Sequence, residues 1–172
     1  SGPWNIMNAI AGVLNIVTIC GWFGIFISKD KSRDMIWPDM LWMWIIAYDL
    51  WNFAYTYNCM SDHSTYTGLA LLIACTVPTF FTKRGAWLQH RAQTLGLYAM
   101  FAMACPQFYT FGEIPTTHNP TAFFVVSAVA LASNVALAVY QFARIRAQHL
   151  NPLKDELNTD TASYREVVEE NR

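Results

Sequence analysis

All eleven lysines and arginines of this 172-residue chain fall in three places. They are SKDKSR at 28–33, TKRGAWLQHR at 82–91, and everything from Arg144 onward. Long apolar runs separate them. A bilayer core of roughly 30 Å needs about 20 apolar residues at about 1.5 Å each. Five stretches approach that length: Trp4 to Ile27, Ile36 to Tyr57, Tyr66 to Phe81, Ala92 to Phe111 and Thr121 to Ala143. The third is short and holds Pro78 in its last turns, but helix breakers are tolerated inside bundles. The loops NCMSDHST and GEIPTTHNP carry no positive charge. Five spans therefore put every Lys and Arg on one side, as cytoplasmic loops require, whereas four would divide them.

The predicted fold is an all-α polytopic membrane helix bundle with five transmembrane helices, its N-terminus outside and its C-terminus cytoplasmic. Residues 1–143 form the bundle, and residues 144–172 form a polar cytoplasmic tail too poor in apolar residues for a core of its own. An outward N-terminus without a signal peptide points to further helices upstream; the expected partners are such helices or a second copy in a homo-oligomer, besides the lipid bilayer. The expected location is the cell (inner) membrane. Trp4, Trp37, Tyr57, Tyr66 and Trp87 lie near span ends, as interfacial belts do.

Composition agrees with a lipid solvent. The chain is 54% apolar and 13% charged, against roughly 25% charged for a soluble domain. Net charge is near zero and no long basic block exists, which excludes nucleic acid as a partner. Cys20, Cys59, Cys75 and Cys105 form no CxxC, so neither a disulfide framework nor a zinc site is expected. No cofactor is implied: the histidines lie in loops, off membrane depth, and no span holds a lysine for a Schiff base. Asp62, His63, Glu113 and His118 would sit together on the outer side as an outer metal or proton site, against which loop solvation is the commoner explanation.

The stretches GWFGIFISKDKSRDMIWPDMLW, AYDLWNFAYTYNC, RGAWLQHRAQTL and HNPTA…NPLKDE together resemble an uncharacterised family of prokaryotic multi-spanning membrane proteins, a domain of unknown function. The resemblance covers essentially the whole chain. It implies the membrane bundle, with more spans upstream, and carries no functional residue over.

Function has to come from the polar groups inside the spans. On the second helix Trp42, Ile45, Asp49, Asn52 and Thr56 share a stripe about 80° wide. The first helix aligns Asn5, Asn8, Gly12 and Asn15; the fifth offers Ser133 and Asn134, the third Thr76, the fourth Gln107 after Pro106. Centred in a bilayer, these groups form one layer within roughly two helical turns. Asn, Ser and Thr in such a layer act as interhelical glue at about 0.6 kcal/mol each. Asp49 differs, because a carboxylate at a helix centre costs about 2.5 to 3.5 kcal/mol and marks a cavity or a partner. With no Lys or Arg in any span, it is either held as the neutral acid or paired with a proton or cationic solute. Trp42, Tyr48, Trp51, Tyr55 and Tyr57 offer ring faces to a cation. Asp39, beside Pro38, reads as a helix-start acid.

Two functions follow. The first is a transporter or channel subunit for a small polar or cationic solute, with a site built from Asp49, Asn52, Thr56, Asn15, Asn134, Trp42 and Gln107. The second is a non-transporting scaffold or sensor that signals through the cytoplasmic tail. An enzyme ranks third, since no nucleophile, base or metal-ligand set shares one depth.

Overall fold

Proline opens two of the helices, at first-turn positions where its missing N–H leaves nothing unpaired. The computed structural model describes residues 2–59, 64–105 and 118–172. These form α1 (Pro3–Val17), α2 (Trp42–Cys59), α3 (Ser64–Phe81), α4 (Trp87–Ala104), α5 (Pro120–Gln148) and α6 (Ala162–Asn171). A two-stranded hairpin, β1 (Phe26–Ile27) and β2 (Met35–Ile36), interrupts the helices between α1 and α2. The fold class is all-α.

Two capping bonds set helix boundaries. Asn119 accepts from the Thr121 amide at 2.8 Å and opens α5, and Thr161 accepts from the Tyr164 amide at 3.2 Å and opens α6. At the end of α1, the Thr18 hydroxyl turns back to the Leu14 carbonyl at 2.8 Å, and Gly21 then takes φ 70°. That left-handed turn costs least for glycine. It ends α1 well before Ile27, the predicted end of the first span.

Helix α2 is central. One flank packs on α1 and α5, and the other meets α3, which carries α4. Trp44, Ile45, Ala47, Cys75, Trp87 and Leu137 form the main buried cluster. Among the described residues only Pro120–Gln148 is both long and apolar enough to cross a membrane by length and composition. By that measure one of the five expected spans is supported, and the other four are not. Helix α1 has 15 residues, and α2 and α4 dilute their apolar content with Asp49, Asn52 and Asn58 or Gln89, His90, Arg91 and Gln93.

The distribution of polarity is inverted relative to a soluble bundle. Asn8, Asn15, Thr76, Thr79, Ser127, Asn134 and Gln141 are buried, while Ile16 is 71% exposed, Met103 75% and Phe81 85%.

One end of the bundle is closed by a cap made from residues 18–41 and 150–172. β1 and β2 pair antiparallel, Phe26 opposite Ile36. Ile36, Ala86 and Val167 pack together with Phe26. The Lys29 amide donates to the Asn171 carbonyl at 3.1 Å, and the Trp37 amide to the Gly85 carbonyl at 2.9 Å. Segment 144–172 is thus ordered against the bundle, and α5 runs unbroken through residues 143 and 144, where the sequence places a boundary. Its few apolar residues suffice because Leu157, Tyr164 and Val167 are buried, completing a core whose other half lies in the hairpin and the α3–α4 loop. Asp39 is the pivot. Its carboxylate, 1% exposed, accepts from the backbone amides of Leu157 at 2.9 Å and Asn158 at 2.8 Å. The expected helix-start acid is therefore an anchor for the distant C-terminal segment.

Candidate functional site at the seam of α2, α3 and α4

The seam arises because α3 and α4 lie antiparallel across a short turn, with Gly85 at φ 81°. A Cβ there would come within 2.6 Å of Val167. This brings Trp87 and Arg91, in the first two turns of α4, beside Thr76 on α3 and Asp49 on α2.

Asp49 Oδ2 accepts from Thr76 Oγ1 at 2.7 Å. Trp87 Nε1 donates to that same Thr76 oxygen at 3.0 Å. The single hydroxyl proton of Thr76 is therefore spent on Asp49, and the indole fixes the rotamer that delivers it. Asp49 Oδ1 is buried and has no protein partner. Arg91 supplies the charge that the sequence reading denied to every span: its guanidinium acts electrostatically on Asp49 and Cys75. The reason for the difference is the start of α4, at Trp87 rather than Ala92. Arg91 stands over the Tyr48 ring, 5.9 Å from its centroid. Tyr48 in turn meets Trp87 edge-on at 5.0 Å and stacks on Trp44 at 5.4 Å. One of the five rings expected to offer a face to a solute cation, Tyr48, thus faces the chain's own arginine.

Beside Asp49, an open groove of about 340 Å³ runs between α2 and α3. Ile46, Leu50, Phe53, Leu69, Ile73 and Val77 wall it, and Asp49 and Thr76 give it polar atoms. One turn toward the cap, Thr79 Oγ1 donates to the Cys75 carbonyl at 2.8 Å and lies 3.0 Å from His90 Nδ1. With its own proton committed, Thr79 accepts from His90, which places the proton of a neutral His90 on Nδ1.

The predicted polar layer divides around α2. Asn134 Nδ2 donates to the Ala47 carbonyl at 3.1 Å, and Trp44 Nε1 donates to the Asn15 carbonyl at 3.3 Å. Both residues belong to the α1–α2–α5 side: the Asn134 side chain ties α5 to α2, whereas Asn15 ties α1 to α2 through its backbone carbonyl and turns its amide to the Ala11 carbonyl of its own helix at 3.3 Å. Asp49 follows Ala47 by two residues, about 200° around the helix, and faces α3 instead. Asn52 is half-buried one turn beyond Asp49. Thr56 is buried and donates to the Phe53 carbonyl at 3.0 Å, where Gly68 allows α3 its close approach. Trp42 is 53% exposed at the cap end of α2, about two turns from Asp49. Gln107, Asp62, His63 and Glu113 lie outside the described residues, and no metal-ligand cluster occurs among the described ones. Arg91 and Trp87 were missed by sequence reasoning; the signal was the Trp–x–x–x–Arg spacing at the head of the fourth apolar run.

A model of a family of unknown function matches residues 1–170. The chain belongs to DUF5692. No curated protein and no solved structure matches it. For this DUF5692 chain the functional argument therefore rests on the seam.

Proposed function

We propose that the chain is a multi-spanning protein of the cell membrane, with α1 to α5 crossing the bilayer and the cap in the cytoplasm, and that it moves a small polar solute past Asp49. The membrane reading draws on the inverted polarity of the bundle, amides and hydroxyls inside and Ile, Phe, Met and Val outside. The 18 residues of α2, α3 and α4 reach roughly 27 Å and the 15 of α1 roughly 22 Å, against a hydrocarbon core of about 30 Å, a mismatch that local thinning of the bilayer absorbs at a modest cost per ångström. One observation carries the transport reading: a carboxylate inside the bundle keeps Oδ1 without a partner while Thr76, Trp87 and Arg91 are arranged around it. Glue needs no charge, and intramembrane carboxylates face solute paths.

The test is osmotic swelling of proteoliposomes in a panel of small polar solutes. Asp49→Leu should abolish swelling while leaving the thermal unfolding transition in place. Equal swelling of wild type and Asp49→Leu would refute the reading. Topology is checked by a cysteine at Ser32: labelling by an impermeant reagent in intact cells would overturn the orientation.

A second reading, a scaffold or sensor signalling through its C-terminal segment, draws on the docking of that segment at Asp39. Proteoliposomes that swell no faster than protein-free ones would favour it.

A further inference from the structure

Two complementary atoms of the seam lack partners. Asp49 Oδ1 is a buried acceptor and Arg91 Nη1 a buried donor, and neither has a hydrogen-bond partner in the protein. Among the described residues Arg91 enters no ion pair. Buried charged groups are normally paired and hydrogen-bonded, and these two could satisfy each other only by closing into contact. They are not in contact: Thr76 bonds Oδ2 of the carboxylate, and the guanidinium stands over the Tyr48 ring. Tyr48 is itself clamped between Trp44 and Trp87. The site is thus an unpaired acceptor and an unpaired donor beside one aromatic cluster.

Its charge decides what it accepts. One carboxylate and one guanidinium cancel, so a monovalent cation attracted by Asp49 is repelled by Arg91, and an anion meets the converse. A net-neutral molecule that carries both a donor and an acceptor can satisfy both atoms at once.

We infer that the Asp49–Arg91 seam binds a small net-neutral solute that donates to Asp49 and accepts from Arg91, as an amide or a zwitterion does, and discriminates against cations. The inference rests on the transport reading above and names its substrate class. Arg91 then acts as the selectivity residue, holding the acceptor end of the solute. Unpaired buried groups make such a site reject molecules lacking the matching partner.

The experiment measures uptake of four small probes by proteoliposomes of the full chain: urea as a neutral amide, glycine as a zwitterion, methylammonium as a cation and acetate as an anion. The expected result is entry of urea or glycine about tenfold or more faster than methylammonium and acetate, the faster of the two identifying the neutral class. Arg91→Gln should raise methylammonium entry to at least the level of the neutral probe, and Arg91→Lys should preserve the wild-type order. Thermal unfolding of each variant confirms that it is folded. Methylammonium entering wild type as fast as urea and glycine overturns the inference and leaves the transport reading standing. An unchanged order in folded Arg91→Gln likewise removes Arg91 from selection. If no probe enters faster than into protein-free liposomes, both the inference and the transport reading fall.

Discussion

Replacing Asp39 by alanine should release the C-terminal segment from the bundle. The carboxylate accepts two backbone amides, from Leu157 at 2.9 Å and Asn158 at 2.8 Å, in surroundings that leave Asp39 1% exposed. A hydrogen bond to a charged acceptor contributes about 1.5 to 3 kcal/mol, and a buried donor left without an acceptor costs about 1 to 3 kcal/mol. Two such bonds place the loss at about 3 to 6 kcal/mol, borne mainly by docking of residues 150–172. Each 1.36 kcal/mol is a factor of about ten in the open population, so the open form should rise at least about a hundredfold. Arg165 is exposed and lies beyond the anchor, which makes trypsin cleavage there a direct reporter of opening. Cleavage follows the open population when closing outruns proteolysis. Asp39→Asn keeps one acceptor oxygen but turns an NH₂ toward the second amide, and should fall between wild type and Asp39→Ala. If Asp39→Ala is cut at Arg165 no faster than wild type and unfolds at the same temperature, the anchor contributes nothing and the reasoning fails.

Four further outcomes follow from named contacts. Gly21→Ala should lower stability by about 1 to 3 kcal/mol, because φ is 70° and the new Cβ would lie 2.2 Å from Asp39 Cβ; an unchanged melting temperature would contradict this. Burial, then the hydrogen bond to Glu156, push the Tyr164 hydroxyl up to about 12, so the folded state holds that proton more tightly than the unfolded one. Its contribution is complete below pH about 10 and is lost as pH rises toward 12; proteolysis of the C-terminal segment across that window should steepen in wild type and stay flatter in Tyr164→Phe. The Lys83 hydrogen bond, then those of Ser28 and Ser32, hold Asp30 well below the usual carboxylate range. That contribution is present above pH about 4 and lost as pH falls through the folded value, so acid unfolding of Lys83→Met should be less pH-dependent than that of wild type. Thr76→Val strips Asp49 of a donor and Trp87 of an acceptor and should cost about 1 to 3 kcal/mol, together with any solute uptake; full uptake by the variant would exclude Thr76 from the site.

Periodicity along single helices was legible in the sequence. The stripe Asn8, Gly12 and Asn15 faces inward on α1, with Asn8 and Asn15 buried and Gly12 against Trp51. Among the described residues the apolar runs located the five long helices to within a few turns. What depth along a helix cannot supply is direction around it relative to a neighbour, and so Asn134 and Asp49, alike in depth, lie on opposite flanks of α2. Arg91 was hidden by the length of its own side chain: counting charges assigns it to a loop, while four methylene and guanidinium links let a residue near a helix start reach inward. The cap was hidden because its halves are far apart in sequence. Leu157, Tyr164 and Val167 look too few for a core until Ile36, Trp37 and Ala86 are set against them.

That separation has a consequence for biogenesis. Asp39 and its amide partners are 118 and 119 residues apart, and at about 5 to 20 residues per second a ribosome needs roughly 6 to 24 s to make the intervening chain. Throughout that interval the hairpin segment lacks the backbone amides that hydrogen-bond the Asp39 carboxylate. Closure of the cap is therefore a late step of synthesis, and a chain cut short before Leu157 would lack the amides that seal this end of the bundle.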